Sequence, residues 1–220
     1  MDRFRIAIVI PAYNEAATIA SVVAAVRHVG PVFVVDDSSS DQTAELAEDA
    51  GAQVIRQPVN AGYDAALSEG FRTADAHGAM AVITMDADGQ HRPDDVEKVA
   101  SALALDHDLV IGVRRNKARL TEKAFAMLMQ ARWGVRDPLS GLKGYSIRLY
   151  RTVGFFDQLN STGTELMIRA LNHGFKAHQI NINESARLNE TSRFGSVFKA
   201  NARIASSLIR VLPLFFVKKG

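Results

Sequence analysis

At 220 residues, the chain is long enough for one large domain, or one domain with a tail, and its 47% apolar content supports a substantial core. It contains no cysteine, which excludes disulfides, thiolate metal sites and a cysteine nucleophile. A formal net charge of +2 is too small to make nucleic acid the main partner, although every charged side chain from Arg193 to Gly220 is basic.

Arg5 to Ile10 is a short apolar run that stops at Pro11 and reads as a strand. Asn14 reads as the N-cap of a helix to Val29, closed by Gly30-Pro31. Val32 to Val35 is a second strand, ending in Asp36-Asp37-Ser38-Ser39-Ser40-Asp41. Ser40 or Asp41 caps a helix to Ala50, which Gly51 closes. Ala52 to Arg56 is a third strand, and a loop holding Asn60 and Gly62 leads into a helix to His77. Ala79 to Met85 is a fourth strand, Pro93 opens the next helix, and Asp108 to Gly112 is a fifth strand. Thr121 to Trp133 then reads as a helix, Asp137 to Gly141 as a turn and Lys143 to Ser146 as a candidate strand. Glu165 to His173 is a helix started by Thr162 or Thr164 and ended by Gly174, and Ala177 to Ile182 is a strand. Ser185 to Ser196 is polar, and Ser196 to Val217 reads as an amphipathic helix bent or broken at Pro213.

Strand and helix alternate strictly over the first half, which implies a parallel sheet with helices on both faces. Ligands of such sheets bind outside the carboxyl ends of the strands. The polar clusters fall at those ends: Tyr13-Asn14-Glu15, Asp36-Asp37, Asp86-Ala87-Asp88 and Arg114-Arg115. Asp86 and Asp88 are spaced so that, on extended backbone, they point the same way, and Gly89 lets the chain turn after them. Two hard oxygen ligands on one edge suit Mg²⁺ or Mn²⁺, with water and substrate phosphates completing the shell. The plainer alternative is a pair that ends a strand and caps the next helix. His91 reads as a structural residue rather than a ligand, since such cations prefer oxygen.

The opening Met1-Asp2-Arg3 lacks the pattern of a secretory leader, and no stretch reaches the roughly 20 apolar residues that span a bilayer. The end of the chain is both apolar and basic. Phe198, Ile204, Leu208, Ile209, Val211, Leu212, Phe215 and Phe216 supply one surface, and Lys199, Arg203, Arg210, Lys218 and Lys219 the other. Such a helix can lie in a membrane interface or pack on its own domain or a second copy. The expectation is packing for its first half and membrane for Leu212 to Gly220.

Together these segments resemble the family 2 glycosyltransferases, which have the nucleotide-sugar-binding GT-A fold. Val9 to Glu15 is similar to their first nucleotide-binding segment, and Val34 to Thr43 to their D-D-x-S-x-D-x-T pattern. Met85 to His91 is similar to their metal-binding D-x-D, and Asp137-Pro138-Leu139-Ser140-Gly141 to a loop of the polyprenyl-phosphate sugar synthases. The resemblance implies that Pro11, Tyr13 and Glu15 border base and ribose, and that Asp37 hydrogen-bonds one of them. It places Asp86, with Ala87, near the ribose and metal, makes Asp88 a direct metal ligand and adds Gln90 as another. Arg114 and Arg115 fall where that branch keeps arginines for phosphate. There are departures. Many relatives carry Lys-Gly where Tyr63-Asp64 stand, which removes the phosphate contact expected of that loop, and Gln42 replaces a usual Gly.

A departing diphosphate needs neutralising, by the cation and by Arg114, Arg115, Arg119 or Arg136. A sugar hydroxyl as acceptor must lose a proton, and Glu165 is the best-placed base; a lipid phosphate is already ionised and needs none. Ser140, Arg187 and Arg193, with Lys199, would meet the acceptor phosphate. The expectation is therefore an α/β protein with a GT-A, mostly parallel sheet and a C-terminal amphipathic helix. Residues 1–185 form the catalytic domain (1–115 for the nucleotide sugar, 116–185 for the acceptor), and 186–220 a mobile loop and tail. The expected activity is inverting, metal-dependent sugar transfer to a polyprenyl phosphate at the cytoplasmic membrane face, with no nucleic acid and with room for homo-oligomers. Transfer to a sugar or protein hydroxyl, and a non-catalytic nucleotide-binding or membrane-docking module, are the alternatives.

Overall fold

The computed structural model describes residues 5–115, 120–183 and 197–217. Seven strands form one sheet in the order β3-β2-β1-β4-β6-β5-β7. They are β1 (Ile6–Ala12), β2 (Val32–Asp36), β3 (Gln53–Arg56), β4 (Ala81–Thr84), β5 (Leu109–Arg114), β6 (Lys143–Ser146) and β7 (Ala177–Ile182). All pairings are parallel except those of β6, which is inserted antiparallel between β4 and β5. β6 and β7, from the second half of the chain, complete the sheet begun by the first half.

Helices α1 (Ile19–Val26), α2 (Thr43–Asp49), α3 (Tyr63–Ala76), α4 (Pro93–Ala104), α5 (Leu120–Trp133), α6 (Ile147–Val153), α7 (Glu165–Asn172) and α8 (Val197–Val211) cover the sheet and its edges, and a 3-10 helix, Leu212–Phe216, follows. Strand alternation sorts the core into two faces. Ile8, Ile10, Val34, Ile83 and Val110 meet Val22 and Val23 of α1 and Val96 and Val99 of α4. Val9, Phe33, Val82, Ile111 and Tyr145 meet Leu67 and Phe71 of α3, Leu149 of α6 and Leu166 of α7.

Several element ends differ from the sequence reading, each for a local reason. β1 continues through Pro11, which a central strand normally excludes. Pairing with β4 has already stopped at Val9–Thr84, so at Pro11 the strand is paired only on its β2 side, opposite Val35. Asn14 is not a helix cap. Its φ is +53°, its Oδ1 accepts the Ser40 N–H at 2.8 Å and its own N–H bonds Ser39 Oγ, so it ties the first loop to the second and α1 starts only at Ile19. Helix α6 was not read at all; Ser146 caps it by accepting the Leu149 N–H, and Gly154 ends it at φ +92°.

The C-terminal segment returns to the domain. Ile204, Val211 and Leu214 are buried, the Asn172 side-chain amide donates to the Leu214 carbonyl at 2.9 Å, and the Trp133 and Phe215 rings lie 4.7 Å apart. The expectation that Leu212 onward faces a membrane is thus corrected for Leu214 and Phe215. Residues 218–220, with Lys218 and Lys219, lie outside the described residues.

Candidate active site

The carboxyl ends of β1, β2 and β4, with the loop before β6, converge on one edge of the sheet. β4 ends at Thr84, and Ala87-Asp88 already belong to a turn, so the two carboxylates do not inherit strand alternation. Asp86 keeps a partly exposed carboxylate: its Oδ1 accepts the Tyr63 hydroxyl at 3.3 Å, and its Oδ2 lies 3.6 Å from Nε2 of buried His91. Asp88 is buried and its Oδ1 accepts the Gln90 N–H at 3.1 Å, while the Gln90 side chain is half-buried. Ala87, expected to border the donor, is fully buried in the core.

The Asp137–Gly141 loop lies directly against Asp86. A Cβ on Gly141 would come within 2.2 Å of Asp86 Oδ2, so glycine is required for the loop to approach the carboxylate. Thr84 Oγ1 donates to the Gly141 carbonyl at 2.9 Å, and Ser140 is buried with its hydroxyl turned to the Leu142 carbonyl. The sequence resemblance that singled out this loop and the two aspartates therefore named segments that touch.

Around them, Tyr13 is exposed, Pro11 and Glu15 are buried, and the Glu15 N–H bonds Thr43 Oγ1 at 2.7 Å. Asp37 accepts the Ala61 and Gly62 amides at 2.7 and 2.8 Å, one on each oxygen, and so fixes the entry to α3. Its lone pairs are divided between that loop and any nucleoside.

Two expected catalytic groups are committed elsewhere. Arg114, the last residue of β5, forks onto buried Asp137: Nε to Oδ2 at 2.8 Å and Nη2 to Oδ1 at 3.0 Å, with its backbone N–H on Oδ2 as well. Glu122 Oε2 lies 3.5 Å from the same guanidinium. In this structure the Arg114 guanidinium, expected on phosphate, is engaged by Asp137 and Glu122. Glu165 is fully buried at the start of α7; Oε2 accepts the Gln158 and Leu159 amides at 2.7 and 2.9 Å, and Oε1 pairs with Arg169 at 2.7 Å. A base needs a free lone pair facing the acceptor. In this structure Glu165 is buried with both oxygens engaged, anchoring the 158–159 loop, rather than turned toward an acceptor as the expected base would be.

Of the remaining candidates, Arg115 is exposed just past β5, and Arg136 is half-buried with its N–H on Gln179 Oε1. Arg119, Arg187 and Arg193 lie outside the described residues.

Lys143 is the residue that sequence reading passed over, placing it only in a strand. It is buried on β6 opposite Thr84, and its Nζ donates to the Gly163 carbonyl at 3.1 Å. Burial pushes its pKa down to about 8, opposed by the charges of Asp137, Asp86 and Asp64. Asp64 accepts the Thr162 and Gly163 amides at 3.0 and 2.6 Å; burial, then the Asp157 charge, push its pKa up to about 6. A lysine within a buried strand pattern was the available signal, since such a charge is found only where partners compensate it.

Among the described residues no group of three or more His, Asp or Glu side chains is gathered to hold a metal. The hard carboxylates of Asp86 and Asp88 fit a divalent cation that takes its remaining ligands from water and a bound diphosphate. Among the described residues, no helix is long and apolar enough to cross a membrane.

Residues 7–123 match the family model described as glycosyl transferase family 2. The chain is 31% identical over 201 residues to an uncharacterised protein of Methanocaldococcus jannaschii, a match covering 83% of this chain and 82% of that protein. It is 28% identical over 212 residues to the polyprenol monophosphomannose synthase of Mycolicibacterium smegmatis, covering 83% of this chain and 78% of that one. In structure it is similar to glucosyl-3-phosphoglycerate synthase from Mycobacterium tuberculosis, solved in complex with Mn²⁺, UDP-glucose and phosphoglyceric acid. That match has a TM-score of 0.75 and 25% identity, and covers 97% of this chain and 80% of the other.

Proposed function

The chain belongs to glycosyl transferase family 2, with the GT-A fold, and from that premise we propose that it transfers a sugar from a nucleoside diphosphate sugar to a polyprenyl phosphate. On this reading the donor's base and ribose lie along Pro11, Tyr13, Glu15 and Asp37, and its diphosphate lies beside Asp86 and Asp88. Asp86 and Asp88 would hold a Mg²⁺ or Mn²⁺ ion, which would supply Lewis-acid neutralisation of the departing diphosphate. The acceptor's phosphate oxygen attacks the anomeric carbon from the opposite face. The bond to the donor's β-phosphate oxygen breaks, the diphosphate leaves with the electron pair, and the configuration inverts.

The observation that carries the choice of acceptor is the committed state of Glu165. A hydroxyl acceptor calls for a base, whereas a phosphate already bears its charge. The likeness to a polyprenol monophosphomannose synthase supports the same choice. So does the surface of α5 and of the C-terminal segment that packs beside it. Leu120 is 81%, Met127 71%, Ile209 69% and Phe216 80% exposed. The exposed charges on these elements, Lys123, Arg132, Arg203 and Arg210, are all basic, and Glu122 is buried. An apolar surface with a basic rim suits an anionic lipid interface, and we assign the protein to the cytoplasmic membrane face as a peripheral enzyme. Ser140 underlies the acceptor side of this site, and Arg115, Arg187 and Arg193 are the basic residues we assign to the lipid phosphate.

The likeness to a synthase crystallised with phosphoglyceric acid supports a second reading, a small water-soluble acceptor. Incubation with radiolabelled nucleotide sugars and a polyprenyl phosphate, followed by solvent partition, separates the two. Label in the organic phase is the expected result. Label only in a water-soluble product overturns the lipid acceptor.

A further inference from the structure

The two residues that depart from the family pattern at the start of α3 reach different halves of the site. The Tyr63 hydroxyl donates to Asp86 Oδ1 at 3.3 Å. The next residue, Asp64, accepts the Thr162 N–H on Oδ2 and the Gly163 N–H on Oδ1, at 3.0 and 2.6 Å. Gly163 is gripped a second time, through its carbonyl, by Nζ of buried Lys143 at 3.1 Å.

The turn held in this way is unusual. Asn160, Thr162 and Gly163 have φ values of +52°, +57° and +69°. For a β-branched residue such as Thr162 this is an outlier conformation, which persists only where the surroundings over-determine it. The turn is also joined to the C-terminal helix: Thr162 Oγ1 and Ser207 Oγ are 2.8 Å apart, and Arg210 donates to the Leu159 and Asn160 carbonyls. A chain of direct contacts therefore runs from Asp86 through Tyr63 and Asp64 to the turn and on to α8.

We propose that Tyr63 and Asp64 are a positioning pair that couples occupancy of the donor site at Asp86 to the conformation of the 160–163 turn, and so presents that turn and α8 to the acceptor. The inference rests on Asp86 belonging to the donor site, as proposed above. Neither residue touches the reacting atoms. Tyr63 orients Asp86, and Asp64 transmits the position of the α3 entry, which Asp37 fixes from below through the Ala61 and Gly62 amides.

Hydrogen exchange read by mass spectrometry on peptides spanning 158–165 tests the coupling without turnover, and steady-state kinetics tests its effect on the acceptor. Wild type, Tyr63→Phe and Asp64→Asn are compared with and without a nucleoside diphosphate plus Mn²⁺, after calorimetry has measured binding. In wild type, exchange across 160–163 slows when the ligands are added. In Tyr63→Phe, which loses only a hydroxyl, the nucleotide still binds but the slowing is lost. In Asp64→Asn, one amide of the turn faces an NH₂ group in place of an acceptor; the acceptor KM rises about ten-fold, the scale of a lost orienting contact, while nucleotide affinity stays within two-fold. Equal slowing in wild type and Tyr63→Phe overturns the coupling and leaves the donor reading intact. Binding without slowing in wild type does the same. Absence of cation-dependent nucleotide binding in wild type overturns both.

Discussion

Replacing Glu165 by Gln separates a loop anchor from a catalytic base. The side chain is fully buried, with two backbone amides on Oε2 and Arg169 on Oε1. Gln keeps one carbonyl oxygen for the Gln158 and Leu159 amides. It loses the charge on those bonds and turns an NH₂ group toward the Arg169 guanidinium. Hydrogen bonds to a charged group are worth about 1.5–3 kcal/mol each, and the part-exposed Arg169 can recover some solvation. The net loss is then about 2–4 kcal/mol, which for a chain of this size is a fall in Tm of roughly 5–15 °C. Below that temperature the folded fraction turns over with kcat within about three-fold of wild type, because no proton has to be removed. A general base contributes typically about 10²–10⁴ in rate. A hundred-fold loss of kcat with unchanged Tm and unchanged nucleotide binding refutes the reasoning and returns the acceptor to a hydroxyl.

Lys143 has a folded pKa near 8 against a reference of 10.5, so between those values the unfolded chain binds more protons and stability rises with pH. The burial cost present below pH 8 is about 3 kcal/mol by linkage; urea denaturation at pH 7.5 and 9.5 should show the rise in wild type and not in Lys143→Met, and equal slopes would count against it. Arg114→Lys loses the fork onto Asp137 and costs about 1–3 kcal/mol of stability. It leaves cation-dependent nucleotide binding within two-fold by calorimetry, and a loss of ten-fold or more would restore Arg114 to the phosphate site. Phe216→Glu removes an exposed apolar group and adds an acid at the basic rim, so sedimentation with phosphatidylglycerol vesicles should fall at least ten-fold, given about 1.5–3 kcal/mol for burying such a side chain, with Tm unmoved. Wild type that stays in the supernatant at low salt would remove the membrane assignment.

All seven strands have a counterpart in the sequence reading, Lys143–Ser146 as a candidate, and the polar residues at the ends of β1, β2 and β4 come together because a parallel sheet puts those ends on one edge. What that reading could not disclose is pairing. Lys143–Ser146 is too short to reveal that it enters the sheet antiparallel beside β4, and it is this insertion that buries Lys143 next to Asp86 and Asp137. Arg114 and Glu165 were assigned by position at a strand end and a helix start. Their partners, Asp137 and the Gln158 and Leu159 amides, become neighbours only in the folded chain. Tyr63-Asp64 was visible as a departure from the family pattern, but its contacts lie 23 and 98 residues away and carry no local signature.

The committed arginine and glutamate change how the site's charge must balance. Asp86, Asp88, Asp64 and Asp137 gather at one end of the sheet, where Arg114 is already divided between Asp137 and Glu122. Lys143 is a buried cation beside them, and its hydrogen bond goes to the Gly163 carbonyl. A diphosphate brought against Asp86 and Asp88 alone would meet like charge at short range, which costs more as water is excluded. On the reading proposed above, a divalent cation held by Asp86 and Asp88 would offset that repulsion and would supply neutralisation of the leaving group from the same place. The protein's own contribution is to hold the two carboxylates in place, through Tyr63 on Asp86, the Gln90 amide on Asp88, and a glycine at 141 that lets the neighbouring loop close against them.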